Sequence, residues 1–414
     1  MRPSTPRGFR DVLVQETAER SAIERALESV FAAWGYGLVR TPALETWATL
    51  EAGAGPQVDG SVFVVSDKDG TLLGLRPEMT VPISRMAATR LAQADGPHRL
   101  AYVADVFREH ASLRGQPRQF TQAGVEFIGA SGPDADAEVV ALLADALAGA
   151  GVRETTIAVG TVAVLGAVLE TCDAPGEWRG RVIEAARRRD LVAIDGLADD
   201  SDVSPMLANA VRGIPRLRGG AEAVDACRRL ADPCGCADAL EPFADMLDLL
   251  RSAGVDGSVL VDFGIVRDFG YYSGLVVEAY CPQLGVPLGG GGRYDGLAGA
   301  FDAPAPAAGF ALGIERLHIA LEAQGALRQV RGLDAVCGGV LAADVMSQCS
   351  RLRAARWRVA AAAGKAPAEV TAAAASAGAD LALWADETGV RVVDAQGSIG
   401  RELDASEPKP SEAR

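Results

Sequence analysis

The stretch LAYVADVFREHASLRGQPRQFTQAGVEFIG, Leu100 to Gly129, carries the clearest fold signal in the chain. It contains two apolar runs, 100–109 and 118–129, on either side of a polar loop. Apolar runs of this length, bounded by glycine and proline, predict two strands that pair as neighbours. Residues four apart in a regular strand lie on the same face. We therefore expect Gln122 and Glu126 to point toward the same side of the sheet.

Further helices and strands are predicted on both sides of this pair. Apolar residues recur at helical spacing over residues 16–34, which predicts an amphipathic helix. Two apolar runs around Asp69–Gly70 predict a hairpin. Residues 134–151 begin with acidic side chains and end in glycine, which is typical of a helix. The same reasoning predicts strands within 257–280 and 286–296, and a helix over 313–324.

The composition of the chain changes twice along its length. Residues 165–252 are rich in Ala, Leu and Arg with helical periodicity, and we interpret them as a helical insertion. A linker is expected at 325–332. Residues 333–404 alternate short apolar strands with Ala-rich helical stretches, which predicts a small α/β unit. The last ten residues, 405–414, have the polar, Pro-containing composition of a disordered tail.

Composition and charge restrict the functional class. The net charge of −15 gives no general electrostatic attraction to nucleic acids. Seven scattered cysteines suit a reducing cytosol, so we expect a cytoplasmic protein. The N-terminal residues lack the apolar segment of a signal peptide, and no run of 18 apolar residues indicates a membrane span. We therefore expect no membrane association.

Two isolated arginines are candidates for binding phosphate. Arg108 ends one apolar run, and Arg316 lies near the start of a predicted helix. The planar guanidinium group suits phosphate oxygens, and two such groups from distant segments can clamp a polyphosphate. The alternative is that each arginine pairs with the adjacent glutamate, Glu109 or Glu315, as a fold contact. No phosphate-binding loop of the GxxxxGKS type accompanies them.

A second set of residues suits a small zwitterion. Carboxylates and neutral oxygens can accept hydrogen bonds from an ammonium group, an arginine can bind a carboxylate, and tyrosines can enclose a flat ring. Each tyrosine taken alone is better explained as a core or rim aromatic, and only the convergence of the set favours a site. The candidates for the ammonium are Glu78, Thr80, Gln122 and Glu126, that for the carboxylate is Arg267, and those for the ring are Tyr271, Tyr272 and Tyr294.

Metal and nucleophilic chemistry find no support in the sequence. The three histidines, His98, His110 and His318, belong to no HExxH or Cys–His pattern. Three cysteines lie close together in CRRLADPCGC, but no second ligand pair follows at a suitable spacing. We therefore expect no metal site, no cofactor and no nucleophilic triad; that the chain has no catalytic residue is implied only by the family resemblance described below.

At these residues the chain resembles histidyl-tRNA synthetases and their paralogues over residues 1–320. GYGLVRTPALE resembles the first class II motif, FRE…RQFTQAGVE the second and GFALGIERL the third, while VRDFGYYSG and GGRYDGL resemble the two histidine-specific motifs. The resemblance implies an α+β fold with a class II antiparallel sheet flanked by helices. It also implies that the zwitterion set binds histidine, and that Arg108 and Arg316 are the phosphate-binding arginines.

The chain departs from the synthetase pattern where ATP and tRNA are handled. Synthetases usually read FR-x-E in the second motif, whereas the chain reads FREH and places His110 at the last position. They usually read VRGLDYY, whereas VRDFGYY leaves Gly270 before the tyrosines. The loop ASLRGQP lacks the usual basic character, and the C-terminal unit has few basic or aromatic residues with which to contact RNA.

The chain keeps the histidine pocket but alters the nucleotide motifs. In this it resembles the regulatory subunits of short-form ATP phosphoribosyltransferases, which are non-catalytic members of this group. The resemblance implies a role in the first step of histidine biosynthesis, with histidine as ligand and the catalytic subunit as partner. It also implies a homodimer within a hetero-oligomer, and tRNA is not expected as a partner. Two alternatives remain open: an active histidyl-tRNA synthetase, and a paralogue that adenylates an amino acid for another acceptor.

Overall fold

The computed structural model describes residues 4–54, 60–109, 117–171, 176–200, 203–265, 272–327 and 332–404. The chain divides into two compact units, Met1–Arg328 and Gln329–Arg414. Within the described ranges, none of the helices combines the length and apolar character needed to cross a membrane.

The described part of the first unit combines strands and helices along its whole length. Its strands are β1 (Gly37–Leu38), β2 (Leu44–Thr46), β3 (Val64–Ser66), β4 (Leu72–Leu75), β5 (His98–Phe107), β6 (Gln119–Ile128), β7 (Thr156–Thr161), β8 (Arg218–Gly219), β9 (Val259–Asp262), β10 (Leu275–Tyr280), β11 (Gly289–Arg293) and β12 (Ala307–Gly313). Its helices are α1 (Val14–Ala33), α2 (Trp47–Ala54), α3 (Thr80–Met86), α4 (Pro133–Ala150), α5 (Ala163–Thr171), α6 (Gly176–Arg187), α7 (Leu191–Ala198), α8 (Pro205–Gly213), α9 (Ala221–Ala231), α10 (Glu241–Ser252) and α11 (Ile314–Ala323).

A nine-stranded sheet organises this unit, in the order β1-β5-β6-β12-β11-β10-β7-β9-β8. All pairs from β5 to β7 along this order are antiparallel, whereas β1 pairs with β5 and β7 pairs with β9 in parallel. The sheet is therefore antiparallel at its centre and mixed at its margins. Its centre joins strands that lie far apart in sequence, because β6 pairs directly with β12.

The predicted local elements are confirmed around the centre of the sheet. Strands β5 and β6 pair antiparallel, with Leu100 opposite Glu126 and Ala104 opposite Gln122. The hairpin around Asp69–Gly70 forms between β3 and β4, outside the nine-stranded sheet, in a separate three-stranded sheet of order β2-β4-β3. Helices α1 and α4 pack against each other and cover one face of the sheet through a large apolar core.

The sequence explains why α1 and α4 form where they do. Ile23, Leu27 and Phe31 of α1 are buried at four-residue intervals, so the apolar stripe faces the core. Helix α4 begins with proline and has two aspartates in its first turn, which the helix dipole favours. It ends at Gly151 with φ of +88°, a left-handed conformation that glycine adopts without strain.

Between residues 163 and 252 the described chain consists of helices α5 to α10, short 3₁₀ turns and the two-residue strand β8. Strand β8 pairs with β9, so this helical segment contacts the margin of the sheet. The core runs through it without interruption, since Trp178 and Met246 belong to the same apolar cluster as the sheet.

Over its described residues, 332–404, the second unit is a five-stranded sheet with two helices. Its elements are β13 (Ala335–Gly339), α12 (Ala342–Ala354), β14 (Val359–Ala363), α13 (Pro367–Ser376), β15 (Leu381–Ala385), β16 (Val390–Val393) and β17 (Ile399–Glu402). The order β14-β13-β15-β16-β17 is parallel at one side and antiparallel at the other. The tail predicted to be disordered, 405–414, lies outside the described residues.

Candidate functional site

A cavity of about 30 Å³ lies against the sheet at strands β6, β11 and β12. A space of this size holds a few water molecules rather than an amino acid. The described residues that line it include seven predicted site residues: Glu78, Thr80, Arg108, Gln122, Glu126, Tyr272 and Tyr294. Arg267 and Tyr271, the other predicted histidine-binding residues, lie outside the described part of the chain.

The register of the sheet explains how β6 contributes two of these side chains. Gln122 and Glu126 share one face of the strand, as their spacing predicts. Glu126 lies opposite Gly309 of β12, and a Cβ atom at Gly309 would lie 2.2 Å from Glu126 Oε2. Glycine at this position therefore leaves the space that the carboxylate occupies.

Glu126 is the most enclosed charged group of the site, with 1% of its surface exposed. It accepts a hydrogen bond of 2.9 Å from the Thr80 hydroxyl and a second one from the Tyr294 hydroxyl. Burial raises the pKa of Glu126 to about 8, although the two hydrogen bonds favour the charged form and oppose the rise. At neutral pH the free protein therefore holds this carboxyl largely protonated.

Glu78 supplies a second buried carboxyl next to the first. It accepts backbone hydrogen bonds from Thr80 (2.6 Å) and Val81 (2.8 Å) at the first turn of α3. Burial raises the pKa of Glu78, against the effects of these hydrogen bonds and of nearby Arg108. Thr80 thus links the two acids, because its amide bonds one and its hydroxyl bonds the other.

Tyr294 is held in place by the residue before it. The Arg293 side chain is 8% exposed and contacts Asp136 at 2.8 Å and Asp295 at 3.0 Å. The backbone N–H of Tyr294 donates to the Ala307 carbonyl at 2.8 Å. These contacts fix the end of β11 and direct the phenol of Tyr294 toward Glu126.

The two candidate phosphate-binding arginines occupy different positions. Arg108 lines the cavity, donates from Nε to the Pro77 carbonyl at 2.8 Å, and lies 5.3 Å from the centre of the Phe120 ring. Arg316 donates to the Pro287 carbonyl at 2.7 Å and is not among the described residues lining the cavity. The structure therefore brings only Arg108 to the predicted amino-acid site.

The two glutamates beside these arginines bind other partners. Glu109 forms ion pairs with Arg7, at 3.2 Å, and with Arg118. Glu315 pairs with Arg20 of α1 at 2.7 Å and accepts the backbone N–H of Thr121. Both glutamates thus fasten N-terminal segments to the sheet.

One residue near the cavity is absent from the sequence-based candidates. Tyr102 of β5 lies opposite Gly124, its side chain is buried, and its hydroxyl has no hydrogen-bond partner among the described residues. Burial raises the pKa of this phenol, as do the nearby Glu126 and Glu78. The alternation within LAYVADVF could have identified this residue. Tyr102 shares a strand face with Leu100 and Ala104, and these two lie opposite Glu126 and Gln122.

The site is rich in hydrogen-bond acceptors. In the described part of the chain it has two buried carboxyl groups, and the buried Oε1 atom of Gln122 has no hydrogen-bond partner there. Such a set suits a ligand with several N–H donors and a positive charge. The tyrosine rings add flat apolar walls.

Comparison with known proteins gives a consistent relationship. A profile of the histidyl-tRNA synthetase family matches residues 8–317. The ATP phosphoribosyltransferase regulatory subunit of Moorella thermoacetica is 39% identical over 315 residues, which cover 76% of this chain and 81% of that protein. A solved ATP phosphoribosyltransferase regulatory subunit/histidyl-tRNA synthetase from Bacillus halodurans is 30% identical, with a TM-score of 0.80 over 90% of this chain and 96% of that chain. The histidyl-tRNA synthetase of Nostoc sp. PCC 7120 shares the fold, with a TM-score of 0.78 at 20% identity over 97% of this chain and 96% of that chain.

Proposed function

The chain belongs to the histidyl-tRNA synthetase family and is similar over most of its length to ATP phosphoribosyltransferase regulatory subunits, and we propose that it is such a subunit. It is non-catalytic in this proposal and activates a short-form catalytic subunit in the first step of histidine biosynthesis. Histidine is its ligand. The complex is a cytoplasmic hetero-oligomer that contains a homodimer of this chain.

One observation supports the proposal most: six of the eight predicted histidine-binding side chains line one cavity, in a chain that is similar to regulatory subunits. Glu78 and Glu126 are buried acids, which a ligand ammonium group can neutralise. Gln122 has a side-chain oxygen that no described residue bonds, and Tyr272 and Tyr294 border the space. The sequence departs from the synthetase pattern at His110, a position outside the described residues.

The size of the cavity supports a conformational role for the ligand. The cavity of about 30 Å³ is smaller than histidine, and in this proposal the lining side chains move when the ligand binds. A ligand that binds one conformation more tightly shifts the population toward it. We propose that histidine and the catalytic subunit act on the same equilibrium through this pocket.

Co-purification and reconstitution test the proposal directly. The purified chain is mixed with a short-form ATP phosphoribosyltransferase catalytic subunit from the same genome, and the mixture is analysed by size-exclusion chromatography and for activity. We expect one complex, with activity well above that of the catalytic subunit alone. Separate elution, with no effect on activity, would reject the proposal.

Calorimetry tests the coupling. Histidine is titrated into the chain with and without the catalytic subunit. Coupling free energies between sites are typically about 1–3 kcal/mol and must be reciprocal. We therefore expect the histidine dissociation constant to change by roughly 5- to 150-fold when the partner is present. Equal constants in the two titrations would remove the coupling mechanism.

An active histidyl-tRNA synthetase is the second candidate, favoured by the family profile and by Arg108 at the cavity. Histidine- and ATP-dependent pyrophosphate exchange by the purified chain distinguishes the two. The regulatory proposal predicts no exchange above background, and sustained exchange would favour the synthetase.

We also propose a division of labour along the chain. Residues 1–320 form the histidine-binding, synthetase-like domain, within which 165–252 is a helical insertion. Residues 333–404 form a degenerate C-terminal domain that does not recognise tRNA. Arg108 and Arg316 are remnants of the phosphate-binding set.

A further inference from the structure

A second cavity, of about 530 Å³, lies at the end of strands β5 and β6, and we call it the N-terminal cavity. Its lining includes Asp105 and Thr121, which lie opposite each other in the two strands. Because Thr121 is adjacent to Gln122 in β6, their side chains point to opposite faces of the sheet. Among the described residues, none lines both this cavity and the candidate histidine site. The N-terminal cavity is therefore a separate space, and its volume is typical of small-molecule sites.

The N-terminal cavity is positively charged, although the chain as a whole has a net charge of −15. Asp105 and Glu315 are the carboxylates among the described residues that line it. The lining arginines are Arg7, Arg10, Arg20 and Arg118. These side chains leave an excess of two positive charges, and such a local concentration attracts anions.

The two carboxylates of the lining already have hydrogen-bond donors. Asp105 accepts from the Thr121 hydroxyl at 2.8 Å and from the Gln119 amide at 3.0 Å. Glu315 accepts from Arg20 at 2.7 Å and from the backbone N–H of Thr121 at 3.1 Å. Neither carboxylate therefore requires a cationic ligand, and the arginines determine which ligand the cavity suits.

Two of these arginines keep a buried donor that no described residue bonds. The side chains of Arg20 and Arg118 are 12% and 15% exposed. The terminal nitrogens of Arg20 bond to Glu16 and Glu315, and those of Arg118 bond to Glu109 and to the Arg7 carbonyl. The Nε atom of each has no hydrogen-bond partner among the described residues. Because an unmet buried donor on a charged group is costly, an acceptor in the cavity would stabilise both side chains.

The other two arginines are accessible to a ligand. Arg7 and Arg10 are each more than half exposed. Desolvation and the nearby positive charge of Arg7 lower the pKa of Arg118, so the two guanidinium groups repel each other. An anion bound between them would oppose both effects.

We propose that the N-terminal cavity binds the phosphate group of a small organic phosphomonoester. Guanidinium groups bind phosphate oxygens through paired hydrogen bonds, and a phosphomonoester carries nearly two negative charges at neutral pH. This charge matches the excess of two positive charges, whereas a single carboxylate carries only one. The volume exceeds that of a bare phosphate, and Phe9, Val12 and Ile319 offer apolar walls for the organic group. The assignment does not depend on the proposed regulatory function.

Calorimetric titration of the full chain at pH 7.5 tests the ligand class with three probes. Phenyl phosphate carries both the phosphate and an apolar group, inorganic phosphate lacks the apolar group, and benzoate replaces the phosphate with a carboxylate. We expect phenyl phosphate to bind more tightly than either of the other two. Equal or tighter binding of inorganic phosphate or of benzoate would overturn the phosphomonoester assignment, and so would the absence of phenyl phosphate binding.

The double variant Arg7→Gln/Arg10→Gln tests the location. Its dissociation constant for phenyl phosphate should be roughly tenfold or more above that of the wild-type chain, because hydrogen bonds to a charged group are lost. Arg188→Gln/Arg218→Gln is the matched control, since it also removes two exposed arginines that form ion pairs, and neither lines the cavity. Equal affinities in the two double variants would overturn the assignment.

Ile319→Lys adds an independent test that loss of folding cannot imitate. Ile319 of α11 lines the cavity and is half exposed, so a lysine there places an additional positive charge at the rim. The affinity for phenyl phosphate should increase by roughly two- to fivefold, as for a partly exposed ion pair. An unchanged or weaker affinity would count against the site.

Arg108→Gln separates the N-terminal cavity from the candidate histidine site, which Arg108 lines. This variant should bind phenyl phosphate like the wild-type chain. If Arg108→Gln loses the affinity and Arg7→Gln/Arg10→Gln keeps it, the phosphate binds at the other cavity and the assignment is wrong. Histidine titration of Arg7→Gln/Arg10→Gln should match that of the wild-type chain, and a loss of histidine affinity would show that the two cavities are not independent and overturn their assignment as separate sites.

Discussion

Replacing Glu126 with glutamine should stabilise the free protein and weaken histidine binding at the same time. The substitution keeps the size of the side chain and an oxygen that can accept from Thr80, whose hydroxyl lies 2.9 Å from Glu126 in the wild-type chain. It removes the carboxyl that burial makes costly to ionise. The opposite signs of the two effects distinguish a ligand-binding acid from a structural one.

The magnitude follows from the pKa of Glu126, which burial raises from 4.5 to about 8. Above pH 4.5 the unfolded chain releases this proton, while the folded chain retains it up to a pH of about 8. Between these two pH values the free energy of unfolding therefore falls as the pH rises. One pKa unit corresponds to about 1.4 kcal/mol. At pH 7 the cost is therefore about 3 kcal/mol, which sets the largest gain expected for Glu126→Gln. The gain should disappear near pH 4.5.

The affinity effect is estimated from the contact that the variant loses. A hydrogen bond to a charged group contributes about 1.5–3 kcal/mol, so the histidine dissociation constant should rise by roughly 10- to 150-fold. Urea unfolding from pH 4.5 to 8.5 and calorimetric titration at pH 7.5 measure the two effects. A variant that is less stable at every pH and binds histidine normally would refute the reasoning.

Glu138→Gln is the matched control for this experiment. Glu138 bonds to Arg99 at 2.7 Å and to Tyr36 at 2.9 Å, and it does not line the cavity. Its replacement should cost about 1 kcal/mol of stability, as for a partly exposed ion pair, with no change in histidine affinity.

Three further predictions follow from the same geometry. Histidine binding at pH 7.5 should release most of a proton, because the ligand favours the ionised form of Glu126, whose pKa in the free protein is about 8. The binding enthalpies measured in phosphate and in Tris buffer should then differ. Identical enthalpies in the two buffers would contradict the proton release. Gly309→Ala should cost about 1–3 kcal/mol of folding stability by overpacking and should weaken histidine binding, because the new Cβ would lie 2.2 Å from Glu126 Oε2. Gly296→Ala is the control, because the space around its Cβ is open. Equal urea midpoints and equal histidine affinities in the two variants would count against this geometry. Arg293→Met should cost about 3–5 kcal/mol by leaving Asp136 buried without its cation, and adding Asp136→Asn should restore part of the urea midpoint; failure of that rescue would argue against the pairing.

Local pattern was sufficient to predict much of the fold. The helical periodicity gave α1, the Asp69–Gly70 turn gave the β3–β4 hairpin, and the two apolar runs gave β5 and β6. Spacing along a strand placed Gln122 and Glu126 on one face. These features depend on residues close together in sequence, and for that reason a single sequence reveals them.

Long-range pairing was not predictable from pattern. Nothing local indicates that β6 lies beside β12, which brings Gly309 against Glu126. The adjacent arginines and glutamates suggested local pairs, but Glu315 bonds to Arg20 of α1, nearly three hundred residues earlier in the chain. Tyr102 is absent from the sequence-based candidates, and only its register with Gly124 places it on the same face as Gln122 and Glu126.

The most direct test of the account measures the activity of the reconstituted ATP phosphoribosyltransferase complex against histidine concentration, with wild-type chain and with Glu126→Gln. We expect the catalytic subunit to depend on this chain for activity, and the variant to move the histidine inhibition midpoint upward by roughly tenfold or more. Identical inhibition curves for the two complexes, or full activity and inhibition with the chain omitted, would contradict it.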